Sequence, residues 1–347
     1  MTLAVALPDF WLNHTWFILV GILFTGYAIL DGFDLGVGAM HLFTKSDTER
    51  RLMLNAIGPV WDGNEVWLVT GGGALFAAFP VVYATVFSGF YLAFMALLAG
   101  LIFRAVAIEF RSKQPMKWWR QFWDISFCLS SLICSFLIGV AIGNIAWGIP
   151  LDAHQEYSGS FLGLLHPYAL LIGLTTVALF MMHGTIYVIM KTEGDLNARA
   201  RRWVNPTIIF FIMCYAMATA ATLLHAPHMA EPFRNYPWLG LLVLVNMLSI
   251  ANIPREMHHG REFFAFLSSC AAIVSLMALF GVGMHPNLVY SLPDIENSLN
   301  VLNAASSQKT LGIMLIVAGL GVPLVLAYTV SIYWVFRGKV RLNEHSY

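Results

Sequence analysis

Long apolar runs follow one another along almost the whole chain, and they constrain its fold more than any other feature. A helix needs about 20 apolar residues to cross the hydrocarbon core of a bilayer. Of the 347 residues, 59% are hydrophobic and only 11% are charged, which is too little charge for a soluble protein of this length. The sequence therefore predicts an all-α, polytopic membrane protein. Nine transmembrane helices are expected, near residues 13–43, 53–75, 80–108, 123–146, 162–190, 204–224, 237–253, 262–285 and 310–336.

The positions of Lys and Arg test this number independently. With nine helices, seventeen of the nineteen basic residues fall at the same end as the C-terminus, and only Arg234 and Lys309 fall at the other end. Because basic loops stay in the cytoplasm, we expect the N-terminus outside and the C-terminus inside. Removing the second and weakest span would distribute the basic loops over both faces. The net charge is zero, which gives no indication of a nucleic-acid partner.

A weak internal repeat relates residues 13–146 to residues 162–285. Four helices separate the two copies, so the repeat is parallel, and the single transmembrane domain of residues 1–347 is predicted to contain two four-helix units plus one C-terminal helix. A chance match is an equal alternative, because glycine is frequent in membrane helices. The long outer connection at 286–309 has no spanning character and is expected to lie along the surface. The repeat is seen in the common spacing of Gly21, Asp31 and Gly32 with Gly173, His183 and Gly184.

Acidic residues inside the predicted spans are the main candidates for function, because placing a charge in lipid costs several kcal/mol. Asp31 and Asp34 lie three residues apart on the first helix and therefore share a face, and Asp62 and Glu65 do the same on the second. At a rise of about 1.5 Å per residue, all four lie roughly 13–18 Å from the cytoplasmic ends of their helices. Consecutive antiparallel helices can bring four carboxyl groups at this depth together.

Two further acids, Glu109 and Asp124, lie nearer the inner surface, at the end of the third helix and the start of the fourth. Together with the deeper acids they form a series suited to moving protons from the cytoplasm toward the middle of the membrane. A structural role is the alternative, in which these acids pair with Arg104 or cap helices beside neighbouring glycines. The sequence leaves both roles open.

Metal or haem binding by this chain has little support in the sequence. Of the eleven histidines, only His183 lies well within a predicted span, and a bis-histidine haem requires a matched pair. The four cysteines lie in apolar runs, as is typical of small buried side chains. We therefore expect this chain alone to bind no metal and no haem.

Several motifs follow one another in a characteristic order. They are GYAILDGFDLGVG at 26–38, DTERR at 47–51, WDGNEVWL at 61–68, GGALFA at 72–77, FSGFY at 87–91, FRSK at 110–113, GVAIGN at 139–144 and ASSQKTL at 305–311. Together they resemble subunit II of the cytochrome bd quinol oxidases. The resemblance extends from residue 16 to about residue 336 and is densest in the first 145 residues.

The resemblance implies a terminal oxidase of the bacterial cytoplasmic membrane. Such an enzyme oxidises quinol on the outer side and reduces oxygen to water with cytoplasmic protons, building a membrane potential without pumping. Haem b and haem d would belong to the partner, subunit I, against which this chain would pack. A small single-helix subunit is a further partner compatible with the family, and some members bind a quinone or a lipid in subunit II.

The same resemblance suggests roles for individual residues. Asp31 and Asp62 fall on acids of a proton path, and Glu109 stands where the family commonly has an aspartate. Glu65 is often an amide in relatives, so here it adds an acid to the path. Positions linked to the integrity of the haem site are occupied by Asp34, Arg104, Asp124 and Trp61.

Two other functions are compatible with membrane-embedded acids. A proton-coupled secondary transporter also uses such acids together with internal repeats. Here, however, the acids are confined to the inner half of the membrane, which favours a path that ends at a partner over alternating access. A purely structural scaffold for subunit I is the third hypothesis.

Overall fold

The computed structural model describes residues 10–342, and helices form almost all of their regular structure. In chain order the helices are α1 (Trp11–Met40), α2 (Asp47–Ile57), α3 (Trp61–Ala78), α4 (Pro80–Gly89), α5 (Tyr91–Phe110), α6 (Lys117–Trp147), α7 (Pro167–Lys191), α8 (Gly194–His225), α9 (Glu231–Asn235), α10 (Gly240–His258), α11 (Glu262–Met284) and α12 (Gln308–Val335). Eight of these helices are long and apolar enough to cross a membrane: α1, α5, α6, α7, α8, α10, α11 and α12.

The second predicted span, residues 53–75, is not one helix. α2 ends at Ile57 and α3 begins at Trp61. Pro59 stands between them, and it ends the helix because it has no N–H to donate and its ring obstructs the preceding turn. α3 has 18 residues, but with two acids in its first two turns it is not among the helices apolar enough to cross a membrane. The predicted number of nine is therefore not confirmed in the part of the chain that the structure describes.

The third predicted span, residues 80–108, is also interrupted. α4 ends at Gly89, and α5 begins after Phe90. A Cβ at Gly89 would collide with the ring of Tyr157, so glycine allows this outer loop to approach the break. Phe90 is buried there in an apolar cluster together with residues of the outer connections. The outer loops thus pack onto α4.

The outer connection at 286–309 contains a small antiparallel sheet that the sequence did not predict. Its strands are β1 (Asn287–Val289) and β2 (Leu299–Asn300). The side chain of Asn13, in the first turn of α1, donates a 2.6 Å hydrogen bond to the carbonyl of Val301. The connection therefore packs against the end of the helix bundle at which α1 begins.

α1 and α7 pack against each other at the centre of the molecule. The rings of Phe33 and Tyr187 stack with their centroids 3.9 Å apart. One turn further along α1, a Cβ on Gly36 would overlap the backbone carbonyl of Phe180 and the backbone of Gly184. These glycines let two helix backbones approach closely, as small residues do in membranes. Around this pair, α1 packs on α3 and α6, α7 packs on α6, α8 and α11, α5 packs on α6, and α10 packs on α11.

α12 packs less than any other long helix. Leu311 is its one buried residue, and the indole N–H of Trp16 donates to the Leu311 carbonyl at 3.0 Å. At its other end the chain continues into residues 336–340, which we call the C-terminal strap. In the strap, Lys339 forms a 3.0 Å ion pair with Glu262 at the start of α11. α12 is therefore held mainly at its two ends.

Candidate functional site

Arg104 lies at the centre of a group of acids buried between helices. It is fully buried within α5, and its Nη2 donates to the Asp31 carboxylate of α1 at 2.7 Å and to the Glu65 carboxylate of α3. The distribution of basic residues predicts Arg104 at the cytoplasmic ends of the helices, but the structure places it inside the bundle. The ion pairing considered as a structural alternative is thus present for Asp31 and Glu65. Glu65 is also partly exposed, so it connects the buried pair to the surface of α3.

Asp34 lies beside this ion pair and has a different environment. The side-chain N–H groups of Asn64, on α3, donate to Asp34 Oδ2 at 2.7 Å and to the Leu30 carbonyl at 3.2 Å. The hydroxyl of Tyr333, on α12, donates to Asn64 Oδ1 at 2.9 Å. The other oxygen of Asp34, Oδ1, is buried and has no hydrogen-bond partner among residues 10–342. We call Asp31, Asp34, Asn64, Glu65 and Arg104 the intramembrane cluster.

The remaining predicted residues lie outside this cluster. Asp62 is exposed on α3, so the structure does not bring all four deep carboxyl groups together. Trp61, next to it, is almost fully buried in the apolar core. Glu109 is partly exposed near the end of α5. Of the two acids on α3, it is therefore Glu65, and not Asp62, that shares the Arg104 guanidinium with Asp31.

A second group of buried charges surrounds Asp124 at the start of α6. Its carboxylate lies 2.6 Å from His41 Nε2, 2.5 Å from Arg111 Nε and 2.7 Å from Arg50 Nη1. Arg111 also reaches Asp47 at 2.7 Å. We call these five residues the inner-end cluster. The sequence predicted Asp124 as a site residue. Arg50 and Arg111 lie in motifs that carry the family resemblance, but no pattern linked them or His41 to Asp124.

An ion pair connects α2 with α8 next to the inner-end cluster. The Glu49 carboxylate accepts hydrogen bonds from Arg199 at 2.9 and 3.1 Å and from the backbone N–H of Lys45 at 2.7 Å. Burial opposes ionisation of Glu49, but these hydrogen bonds outweigh it and lower the pKa of Glu49 below its usual value. The carboxylate is therefore held in its charged form.

His183 does not fit the requirements of a haem ligand. Its Nδ1 lies 2.7 Å from the Ser269 hydroxyl, and its Nε2 donates to the Ile29 carbonyl at 3.0 Å. Since both ring nitrogens are engaged, neither has a free lone pair for an iron atom. The described part of the chain also contains no group of three or more His, Cys, Asp or Glu side chains able to hold a metal ion.

These observations define a class of protein: a multi-helix membrane protein with an arginine and several acids buried between its helices. Residues 12–336 match the family model described as cytochrome bd terminal oxidase subunit II. The chain is 36% identical to cytochrome bd-I ubiquinol oxidase subunit 2 of Escherichia coli (strain K12), over 96% of each chain. It is 34% identical to cytochrome bd ubiquinol oxidase subunit 2 of Bacillus subtilis (strain 168), over 96% of this chain and 98% of that one.

The fold is also similar to a known structure. A chain of the bd oxidase from Geobacillus thermodenitrificans superposes with a TM-score of 0.77, over 94% of this chain and 98% of that one, at 15% identity. The chain belongs to the cytochrome bd terminal oxidase subunit II family. It is a multi-pass membrane protein.

Proposed function

We propose that this chain is the haem-free subunit II of a cytochrome bd-type quinol:oxygen oxidoreductase. It packs against the haem-bearing subunit I and supplies part of a cytoplasmic proton path for the reduction of oxygen to water. Haem b and haem d reside in subunit I, and the complex is electrogenic without pumping. The chemistry at the haems is the partner's, and this chain contributes membrane-embedded acids.

The observation that carries the proposal is the intramembrane cluster. It holds three carboxyl groups, of Asp31, Asp34 and Glu65, around the single cation of Arg104. A site with more carboxyl groups than cations can accept a proton and still keep an ion pair. Ionisable groups inside a membrane protein commonly mark proton or ion pathways. Glu65 and the exposed Asp62 provide an entrance to this cluster from the surface of α3.

The surface of α3 supports contact with a partner chain. Asp62 is exposed on a membrane-embedded helix, and a carboxylate facing lipid is unfavourable by several kcal/mol. Around it, a Cβ added at Gly63, Gly72 or Gly73 would meet nothing within 4 Å. Glycines of this kind let a second helix approach closely. Subunit I is the proposed occupant of this surface, and it would take Asp62 out of lipid.

For the membrane arrangement we propose nine spans with α3 as the ninth. Its 18 residues extend about 27 Å at 1.5 Å per residue, close to the thickness of a bilayer core. The helix packing supports two four-helix units: the pairs α1–α3 and α5–α6 of the first unit correspond to α7–α8 and α10–α11 of the second. The basic loops support a bacterial inner membrane location with the N-terminus outside and the C-terminus in the cytoplasm. Residues 1–9 and 343–347 lie outside the described part of the chain.

Substitution of Asp62 tests the proton path. Asp62→Asn keeps the shape of the side chain but cannot release a proton. The complex should assemble with its haems while quinol oxidase turnover falls tenfold or more, which requires about 1.4 kcal/mol. Asp62→Glu should recover part of the loss, and Asp195→Asn, at an exposed position on α8, should lose nothing. Normal turnover of Asp62→Asn would exclude Asp62 from the path, and loss of haem would assign it to the subunit interface.

The haem-free assignment has its own test. The chain purified without a partner should show no Soret absorption, because His183 has no free ring nitrogen. Co-expression with subunit I should restore the haem spectrum. A stoichiometric haem signal from the chain alone would contradict the assignment.

A further inference from the structure

We propose that Tyr333 of α12 is a positioning residue for the intramembrane cluster. It acts through Asn64, whose side chain it anchors by a hydrogen bond to Oδ1 while the N–H groups of Asn64 face Asp34. This inference rests on the proposed function and deepens it, because it assigns control of a membrane-embedded acid to a helix that otherwise packs little. Tyr333 itself does not contact the Asp34 carboxylate in the proposed arrangement.

The hydrogen bonds of Asn64 leave no group of its amide unused. Its two N–H donors are taken by Asp34 Oδ2 at 2.7 Å and the Leu30 carbonyl at 3.2 Å. Its oxygen accepts from the Tyr333 hydroxyl at 2.9 Å. Asp34 Oδ2 and the Leu30 carbonyl both accept, so the nitrogen of the Asn64 amide must face α1 and its oxygen must face α12. The Tyr333 hydroxyl is therefore the donor to that oxygen. The amide of Asn64 is thus defined by three partners on two helices.

Rotation of this amide by 180° about its last bond would reverse the contact with Asp34. Asn64 Oδ1 would then face the carboxylate oxygen, two acceptors would oppose each other, and Leu30 would lose its donor. The α1 acceptors therefore set which way the amide faces, and the Tyr333 hydroxyl holds the side chain there by donating to the buried Oδ1. This matters for Asp34 in particular, since its other oxygen has no hydrogen-bond partner in residues 10–342.

The C-terminal strap holds Tyr333 in place. The backbone N–H of Val340 donates to the Lys191 carbonyl at 2.8 Å, and the Lys191 ammonium contacts the Phe336 carbonyl. Lys339 adds the ion pair to Glu262. These contacts lie within seven residues of Tyr333, whereas the middle of α12 is exposed. The position of the tyrosine is therefore determined from the inner end of the helix.

The test uses the assembled complex with Tyr333→Phe, which removes only the hydroxyl. Its matched control is Tyr328→Phe on the exposed face of the same helix. Tyr333→Phe should retain the haem content and lower quinol oxidase turnover by about threefold to tenfold, the effect of losing one hydrogen bond. Tyr328→Phe should match the wild type. Equal turnover of the two variants would overturn the inference.

A double-mutant cycle shows whether Tyr333 acts through Asn64. In an Asn64→Ala background, Tyr333→Phe should cause no further loss of turnover. If the two residues act independently, the fold-losses of the two single variants will multiply in the double variant, and that result would refute the inference. Infrared spectroscopy gives a readout that does not depend on turnover. The carboxyl stretching bands of Asp34 are identified by their absence in Asp34→Asn. They should shift in Tyr333→Phe and not in Tyr328→Phe. Unshifted bands would also refute it. A wild-type complex without quinol oxidase activity would instead contradict the proposed function, and the infrared comparison would still decide the inference.

Discussion

The intramembrane cluster and the inner-end cluster are both buried, yet they balance charge in opposite ways. In the first, Asp31 and Glu65 share the single cation Arg104, and Asp34 has only an amide donor. In the second, the buried carboxylate of Asp124 contacts two arginines and a histidine, and the half-exposed Asp47 pairs with one of those arginines. Burial of acids is therefore not enough to indicate proton transfer. The two clusters differ in their ratio of carboxyl groups to cations, and the excess of acids in the first is what the proposed proton path rests on.

The largest effect is expected from removing the single cation of the intramembrane cluster. Arg104→Gln leaves Asp31 buried without a counter-charge, and breaking such a pair destabilises a protein by about 3–5 kcal/mol. We expect the complex to assemble poorly and to unfold at a much lower temperature, as measured by thermal denaturation of the purified complex. Arg202→Gln, at an exposed position on α8, is the matched control. A stable Arg104→Gln complex would show that Asp31 has another partner.

Removing the buried acid of the inner-end cluster, Asp124, should cost less. Asp124→Asn cancels the attraction to Arg50 and Arg111, but Arg111 keeps its ion pair with Asp47. We expect a loss of about 2–3 kcal/mol, in the range of hydrogen bonds to charged groups. The same denaturation assay should rank Asp124→Asn between Arg104→Gln and the wild type. The reverse order would mean that a cluster rich in cations is the more fragile one.

A change in α1 should disturb both clusters together, because α1 carries Asp31 and Asp34 and leads directly into His41. Gly36→Ala introduces a Cβ against the backbone of α7, where neither helix can yield without moving. We expect a loss of about 1–3 kcal/mol, as for other overpacked sites. Gly21→Ala on the same helix, where a Cβ meets nothing within 4 Å, is the control. Equal denaturation temperatures for the two variants would show that α1 and α7 can separate freely.

The smallest effect concerns pH and the ion pair between Glu49 and Arg199. Because folding lowers the pKa of Glu49, the ionised carboxylate stabilises the protein above the usual value of 4.5. That contribution should disappear as the pH falls through the lowered pKa. Glu49→Gln should therefore destabilise the complex by about 1 kcal/mol at pH 7, and the difference from the wild type should vanish in acid. A difference that persists at low pH would assign the effect to packing rather than charge.

The sequence predicted where the acids lie better than what they contact. The three-residue spacing of Asp31 and Asp34 placed them on one helix face, and the structure buries both. Arg104 was assigned to the cytoplasmic side because basic residues are usual at helix ends, whereas ion pairing with Asp31 and Glu65 stabilises it inside. The break at Pro59 had a clear signal in the sequence. The link between Asn64 and Tyr333 had none, because no local pattern relates residues that distant in the chain.

The hydrogen bond between Tyr333 and Asn64 also bears on biogenesis. The two residues are separated by 269 positions, so Asn64 and Asp34 are synthesised long before the hydroxyl that anchors Asn64 exists. During translation the first helices therefore enter the bilayer with a polar group that lacks one of its final partners. The Tyr333 hydroxyl is in place only after α12 has been inserted and the chain that follows it has packed against the end of α7. Maturation of the acid site is consequently a late step, which begins only after residue 333 has been synthesised and inserted.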